Sequence, residues 1–574
     1  MLKRLSAAQR WGLVVGIFAL ILAALNLWWV FRYRDGYPFD IDEAGYTAFG
    51  LVDYLALDYG GIDAWWDAIQ GQPTFAPLIP ALTSILVWIH PGVLNGFAVL
   101  TGFMVLLVLA TYGIGLRLAG PKLGALAALA TATLPGTFIF SREYTFALPV
   151  AALLASAVYA LLRSDGLRSR WWSILCGLAL GLMLLSRTMA IVFVPAVLAA
   201  AVPAMVIRSQ NDLGRRLING LLLIITTVAV AATWYARNLG SVFDYLTDYG
   251  YGKQARFYGE QHGLVSWGRF RSVGERIVGE DLFLPLALLI LAALTALLVV
   301  VVKQLAPRDT RNERLRSLAA SDAMIPALVV ILGYAALMSS RNGGNGFTIP
   351  LSVLLPPLAV LALRRFPAAA FPALAAFGLI AALNTVSTAT IWSTASHTRS
   401  ASIPGFSNSF PVTKGVPKSV FALRAQIDGP ETVFGERDEK WLETNERVAE
   451  RLRRLYGPEG EAPIVAFASR NRVVSSNAVQ LAALLKYKEG MPLIQLEAEP
   501  NNTVANYMSQ LSDPDFGEAT VMISIVPNTD DFPPLVSQRK AAIAARRIGL
   551  VKVERLRLPD GRSLYLWGKA PTSR

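Results

Sequence analysis

Long apolar runs occupy most of the chain, and their lengths predict its elements. Clear runs cover roughly 93–116, 123–140, 145–162, 172–186, 188–206, 217–236, 282–302, 323–339, 347–363 and 370–392. Most approach the ~20 residues that a bilayer's hydrocarbon core requires of a helix. An earlier run from Trp11 to Phe31 ends among Trp28, Trp29 and Tyr33, interfacial aromatics that mark a retained span rather than a cleaved signal peptide. Residues 77–90 are apolar but short, carry two prolines and stop at His90 and Pro91, which predicts a re-entrant or interfacial helix. Between these runs, residues 32–76 are mixed: acidic, aromatic and Gly-rich.

From about residue 393 the pattern becomes that of a soluble domain. Short β-like runs (Ile464–Ala468, Leu493–Leu496, Thr520–Val526) alternate with helix-like ones (Asn477–Lys488, Thr503–Leu511, Gln538–Ile548). A closing hairpin is expected from Val551–Leu558, a turn at Pro559, Asp560 and Gly561, and Ser563–Trp567. Such alternation predicts a small α/β domain, and it contains neither a GxGxxG fingerprint nor a P-loop.

Charge sets the expected orientation. The 574 residues are 54% hydrophobic and 16% charged, with a formal net charge of +13. The basic residues fall in short loops: Arg117 and Lys122; Arg163, Arg168 and Arg170; Arg208, Arg215 and Arg216; Lys303 to Arg316; Arg364 and Arg365. Loops of this kind report membrane orientation, not a nucleic-acid partner. If residues 77–90 do not cross, every one of these loops lies on the side of the basic N-terminus. The positive-inside rule then gives about eleven spans. The expected fold is thus an α-helical multi-pass protein of the cytoplasmic membrane, with residues 393–574 forming an extracytoplasmic α/β domain. The membrane domain would cover 1–392, with external loops at 32–92 and 240–281. The lone cysteine, Cys176, lies within an apolar run and supports neither a disulfide framework nor a cysteine metal site.

On this topology the outer helix ends carry unusual chemistry. Asp40, Asp42 and Glu43 follow the first span, where ionisable groups close to hydrocarbon tend to be functional. Arg142, Arg187, Arg237 and Arg341 lie at other outer ends, and the 240–281 loop adds Tyr249, Tyr251, Lys253 and Arg256. Outer arginines run against the orientation bias and fit a phosphate at the outer surface, whose oxygens match guanidinium forks. Carboxylates able to take a proton, with cations able to stabilise an anionic leaving group, suit sugar transfer from a polyprenyl-phosphate carrier to a hydroxyl. Adjacent helical residues point about 100° apart, so Asp42 and Glu43 cannot both face the reacting atom. Asp42 is the expected base, Glu43 would position the acceptor or a metal, and Tyr46 shares the Asp42 face by i,i+4 spacing.

Structural roles compete with each assignment. Asp42 and Glu43 could be first-turn acids of a capped helix. Arg142 and Glu143 could be an ion pair at a helix junction, and Lys253 and Arg256 could contact anionic lipid headgroups. His90, His262 and His397 have no metal-ligand spacing.

The acidic pair with its following Tyr46, the stretch Thr137–Pro149 around Arg142, and the stretch from Cys176 through Arg187 to Pro195 together resemble GT-C fold glycosyltransferases. That family includes protein O-mannosyltransferases, the lipid A aminoarabinose transferase and rhizobial galacturonosyltransferase-like proteins, and the resemblance covers roughly residues 10–240. It implies a polyprenyl-phosphate sugar donor, an outer-face active site, and a glycan, lipid or protein acceptor in the cell envelope. It matches Asp42 to the catalytic loop Asp, Glu43 to the acid beside it, and Arg142 and Arg187 to positions that often hold basic residues. The chain departs from the family pattern at Gln72–Pro77, which replaces a His-Pro-Pro and leaves the acceptor and a divalent metal open. A transporter or flippase of lipid-linked saccharides and a non-catalytic envelope assembly protein are the rival readings. Charges gathered at outer helix ends rather than at mid-membrane favour the enzyme.

Overall fold

The computed structural model describes residues 6–34, 39–209, 211–252, 254–255, 263–307, 309–344, 346–366, 368, 372, 375–379, 399–403, 409–413, 438–456, 463–471, 473–498, 503–513, 517–528 and 535–569. The chain packs as two units. One holds residues 1–33, 69–82 and 94–416, the other residues 34–68, 83–93 and 417–574.

The first unit is helical. Its leading elements are α1 (Ala7–Tyr33), α4 (Gly96–Ala119), α5 (Pro121–Ala132), α6 (Pro135–Arg142), α7 (Ala147–Arg163), α8 (Arg170–Ser186), α9 (Val194–Arg208) and α10 (Leu213–Gly250). The intervening α2 (Ile41–Gln70) and α3 (Leu78–Ile89) lie mostly in the second unit. Among the described residues five helices are long and apolar enough to cross a membrane, or up to seven if each bent pair is one span. The bends follow the sequence. Pro135 cannot continue α5, and α5 and α6 meet at 52°. The expected 347–363 run breaks into Ile349–Ser352 and Leu355–Arg365, with Pro350, Pro356 and Pro357 in the first turns. In contrast α10 runs unbroken through Gly250, well into the 240–281 segment. Most of the expected 370–392 run lies outside the described residues.

Close helix approach inside this unit depends on small residues. A Cβ on Gly124 would come within 2.5 Å of the Leu116 backbone, and one on Gly177 within 2.3 Å of the Leu223 carbonyl. Such contacts let α4 meet α5 and α8 meet α10 backbone to backbone, the usual device where apolar burial cannot drive packing. Two short strands, β1 (Arg399–Ser402) and β2 (Ser409–Thr413), pair antiparallel in this unit.

The second unit contains the α/β domain. Its five-stranded sheet runs β4-β3-β7-β9-β8, with β3 (Val465–Phe467), β4 (Leu493–Gln495), β7 (Val521–Val526), β8 (Leu550–Arg557) and β9 (Ser563–Lys569). β3 pairs in parallel with β4 and β7, whereas β9 is antiparallel to β7 and β8. A minor ribbon joins β5 (Ser512–Asp513) to β6 (Gly517–Glu518). Strand alternation divides the core in two. Val521, Ile523 and Ile525 of β7 join Trp441, Val448 and Leu452 of the Asp438–Tyr456 helix on one face. Met522 joins Tyr507, Leu511, Ala541 and Ala544 on the other. The strands and helices expected here are all present. The 19-residue Asp438–Tyr456 helix is an addition.

Candidate functional site

The acidic turn belongs to the second unit, and a capping box builds it. Asp40 stands at the N-cap of α2, and its Oδ1 accepts the Asp42 N–H at 2.9 Å. Glu43, three residues on, reaches back so that its Oε2 accepts the Asp40 N–H at 3.2 Å. Arg34 closes the arrangement, donating from Nη2 to both Glu43 oxygens at 3.0 and 3.1 Å with both side chains fully buried. The Arg34 guanidinium also lies 5.3 Å from the centroid of the Phe39 ring. Burial makes this ion pair costly to break, because either charge left alone would be desolvated without compensation.

The neighbouring acids therefore differ in surroundings. Glu43 is buried and engaged by Arg34 and the Asp40 backbone, while Asp42 is exposed. Tyr46, one turn further along α2, is half-buried. Deeper in α2, Asp53 is fully buried, and desolvation pushes its carboxyl up to about 8. Asp53 is thus held as the neutral acid at neutral pH.

The cationic residues belong to the first unit. Arg142 ends α6, fully buried. Its Nε donates to Asn26 Oδ1 at 3.0 Å, and Asn26 Nδ2 donates to Thr101 Oγ1 at 3.1 Å. The guanidinium lies 4.1 Å from the Trp29 ring centroid and 5.4 Å from that of Phe138. Its two terminal nitrogens have no hydrogen-bond partner, and Arg142 makes no ion pair among the described residues. Aromatic faces compensate a buried cation only in part.

Arg187, in extended backbone after α8, lies 4.1 Å from the Phe347 ring centroid. Phe347 ends the turn that Arg341 opens, and the Arg341 N–H donates to the Gly250 carbonyl at 3.1 Å. Gly346 has φ 72°, and a Cβ there would meet Ala147 at 2.3 Å and Phe140 at 2.9 Å. Only glycine lets the turn approach the α6–α7 junction so closely. Arg269 fixes the same turn, donating from Nη2 to the carbonyls of Leu337 and Asn342, each at 3.0 Å. Phe347 faces Arg187, and Gly346 beside it packs on Phe140 of α6 and Ala147 of α7, so this turn touches both the α6–α7 junction and the residue that follows α8. Tyr249 precedes Gly250 and packs on Tyr245, their ring centroids 4.7 Å apart and the planes tilted by 38°, while Tyr251 is exposed. Lys253 and Arg256 lie outside the described residues.

Sequence reading missed Arg34, Asn26 and Arg269. Asn26 did carry a signal, as an amide inside an apolar span. Arg34 and Arg269 look like ordinary flanking cations until their partners are known. No group of three or more His, Cys, Asp or Glu residues among those described could hold a metal ion.

A family model described as dolichyl-phosphate-mannose-protein mannosyltransferase matches residues 73–235. A search of curated protein sequences finds no match. Among solved structures, ArnT from Cupriavidus metallidurans bound to undecaprenyl phosphate superposes with a TM-score of 0.56. The identity is 15%, over 96% of this chain and 98% of that one. The chain has a GT-C fold. The apo form of the same protein gives a TM-score of 0.53 at 14% identity, over 98% of both chains. The GT-C likeness extends through the α/β domain, well past the segment that the family model matches.

Proposed function

We propose that this GT-C protein is a glycosyltransferase that moves a hexosyl or pentosyl unit from a polyprenyl-phosphate carrier. The acceptor is a hydroxyl of an envelope glycan, lipid or protein on the outer face of the cytoplasmic membrane. The observation that carries this reading is the exposed Asp42, presented by a turn that the buried Arg34–Glu43 pair holds in place. The solved GT-C structure with undecaprenyl phosphate supports the choice of donor. The partnerless terminal nitrogens of Arg142 supply a reason for an anion.

Asp42 takes the proton from the acceptor hydroxyl as its oxygen attacks the anomeric carbon. The bond from that carbon to the phosphate oxygen breaks, and the electron pair leaves with the phosphate. A single displacement of this kind inverts the anomeric centre. Arg142, Arg187 and Arg341 stabilise the departing charge, with Lys253 and Arg256 as further donor contacts. Tyr46, Tyr249 and Tyr251 line the substrate path. Glu43 acts through the turn that it caps. About eleven spans, with residues 1–392 as the membrane domain and 393–574 outside, keep all of these residues on one side.

Mass spectrometry of envelope glycans from a deletion strain and its parent tests the activity. Loss of one sugar from an envelope glycan, lipid or protein, restored by the wild-type gene, is the expected result. Unchanged glycans with lipid-linked saccharide trapped on the inner leaflet would instead indicate a flippase.

A further inference from the structure

We infer that the C-terminal α/β domain orients the catalytic turn, with Asn477 as the positioning residue. The inference rests on the reading of Asp42 as the base. It assigns the domain a part in catalysis.

The contact lies within the second unit. Ser475 caps the Ser476–Tyr487 helix, its Oγ accepting the Ala478 N–H at 3.2 Å, and this fixes the direction in which Asn477 leaves the first turn. Asn477 Nδ2 then donates to the Ile41 carbonyl at 2.8 Å, one residue before Asp42. Gly45 provides the room. A Cβ at that position would come within 2.7 Å of Asn477 Nδ2 and 3.1 Å of its Cγ, so the amide occupies the space that a side chain would fill. Gly45 is also the residue whose N–H faces the Ile41 carbonyl in regular α-helix, so one peptide turn is held from both sides. Just past the other end of the same helix, Lys488 Nζ lies 5.8 Å from the Tyr54 ring centroid. Both ends of one domain helix therefore reach α2, and the nearer end grips the residues that flank Asp42.

The capping box alone fixes the Asp40 and Glu43 ends of the turn. Asn477 adds a second donor to the Ile41 carbonyl, supplied by the domain rather than by α2 itself. The domain can thus hold the base in its working direction without touching the reacting atoms.

Hydrogen exchange by mass spectrometry on the full-length protein in lipid nanodiscs tests this without knowledge of the acceptor. Asn477→Ala should speed exchange of the Ala44 and Gly45 amides about fivefold to tenfold, the scale of one lost hydrogen bond. Exchange in β3 and β7 should stay unchanged, which separates positioning from unfolding of the domain. Gly45→Ala should produce the same acceleration in the wild-type background and none beyond it in the Asn477→Ala background, where the amide has gone. Equal exchange of the turn in wild type and Asn477→Ala overturns the inference, as does additive loss in the double variant. With a transferable donor, Asn477→Ala should lower kcat about tenfold and leave undecaprenyl-phosphate affinity unchanged. If Asp42→Asn keeps full turnover while the exchange pattern holds, the functional reading fails and the contact stands as structural.

Discussion

A helix turns about 100° per residue, so the acids at Asp42 and Glu43 had to divide between two environments. The division is set by Arg34, whose guanidinium takes both oxygens of Glu43 into the interior and leaves Asp42 outside. Arg142 presents the complementary case, a buried cation held by one amide and two aromatic faces. Replacing buried charged groups by well-packed apolar side chains of similar volume is often neutral or stabilising, and an incompletely satisfied charge has less to lose. Arg142→Met is therefore expected to hold or raise the unfolding temperature while weakening undecaprenyl-phosphate binding about tenfold, as for a lost charge-assisted hydrogen bond. Parallel thermal scans and lipid titrations read both effects. A variant that lost stability and kept affinity would make Arg142 structural.

Asp53 gives a second prediction at this scale. Its folded carboxyl titrates at about 8, above the ordinary value near 4. Between these values the folded state binds the proton that the unfolded state has lost. Stability therefore falls as pH rises through that window, by at most about 1.4 kcal/mol per pH unit, and levels off above it. Asp53→Asn removes the titration and should flatten the unfolding temperature between pH 5 and pH 8, by about the amount that this slope implies. A slope shared by wild type and variant would assign the dependence elsewhere.

At the scale of elements, α2 is the piece that the apolar pattern could not reveal. Its 30 residues mix acids, glycines and aromatics, so neither a hydrophobic run nor a clean stripe marks it. It bends at Gly61, where φ 74° and ψ −163° lie in a region that essentially only glycine enters. Gly61→Ala should cost about 1–3 kcal/mol even though a Cβ there meets nothing within 4 Å. Chemical denaturation measures it, and an unchanged midpoint would show that the bend is not strained for other residues. Proline explains the other misreadings. Runs that look continuous in hydropathy are cut just ahead of Pro135 and Pro356, which an average over a window does not register.

Across the molecule, legibility followed the range of the interactions involved. The α/β domain was readable because strand and helix periods are local, and β3, β4, β7, β8 and β9 lie where alternation predicted them. The acidic turn and the outer arginines were visible as residue types in unusual places. Their partners were not, since Arg34 meets Glu43 across a turn and Asn26 meets Arg142 across more than a hundred residues. The proposed function joins these levels, because it asks one chain both to present a proton acceptor and to stabilise a departing phosphate. Turnover by purified Asp42→Asn, with undecaprenyl-phosphate affinity measured on the same preparation, tests that claim most directly. The account predicts a fall in turnover of about 10²–10⁴-fold, the usual contribution of a general base, with unchanged affinity. Turnover close to that of the wild type would contradict it.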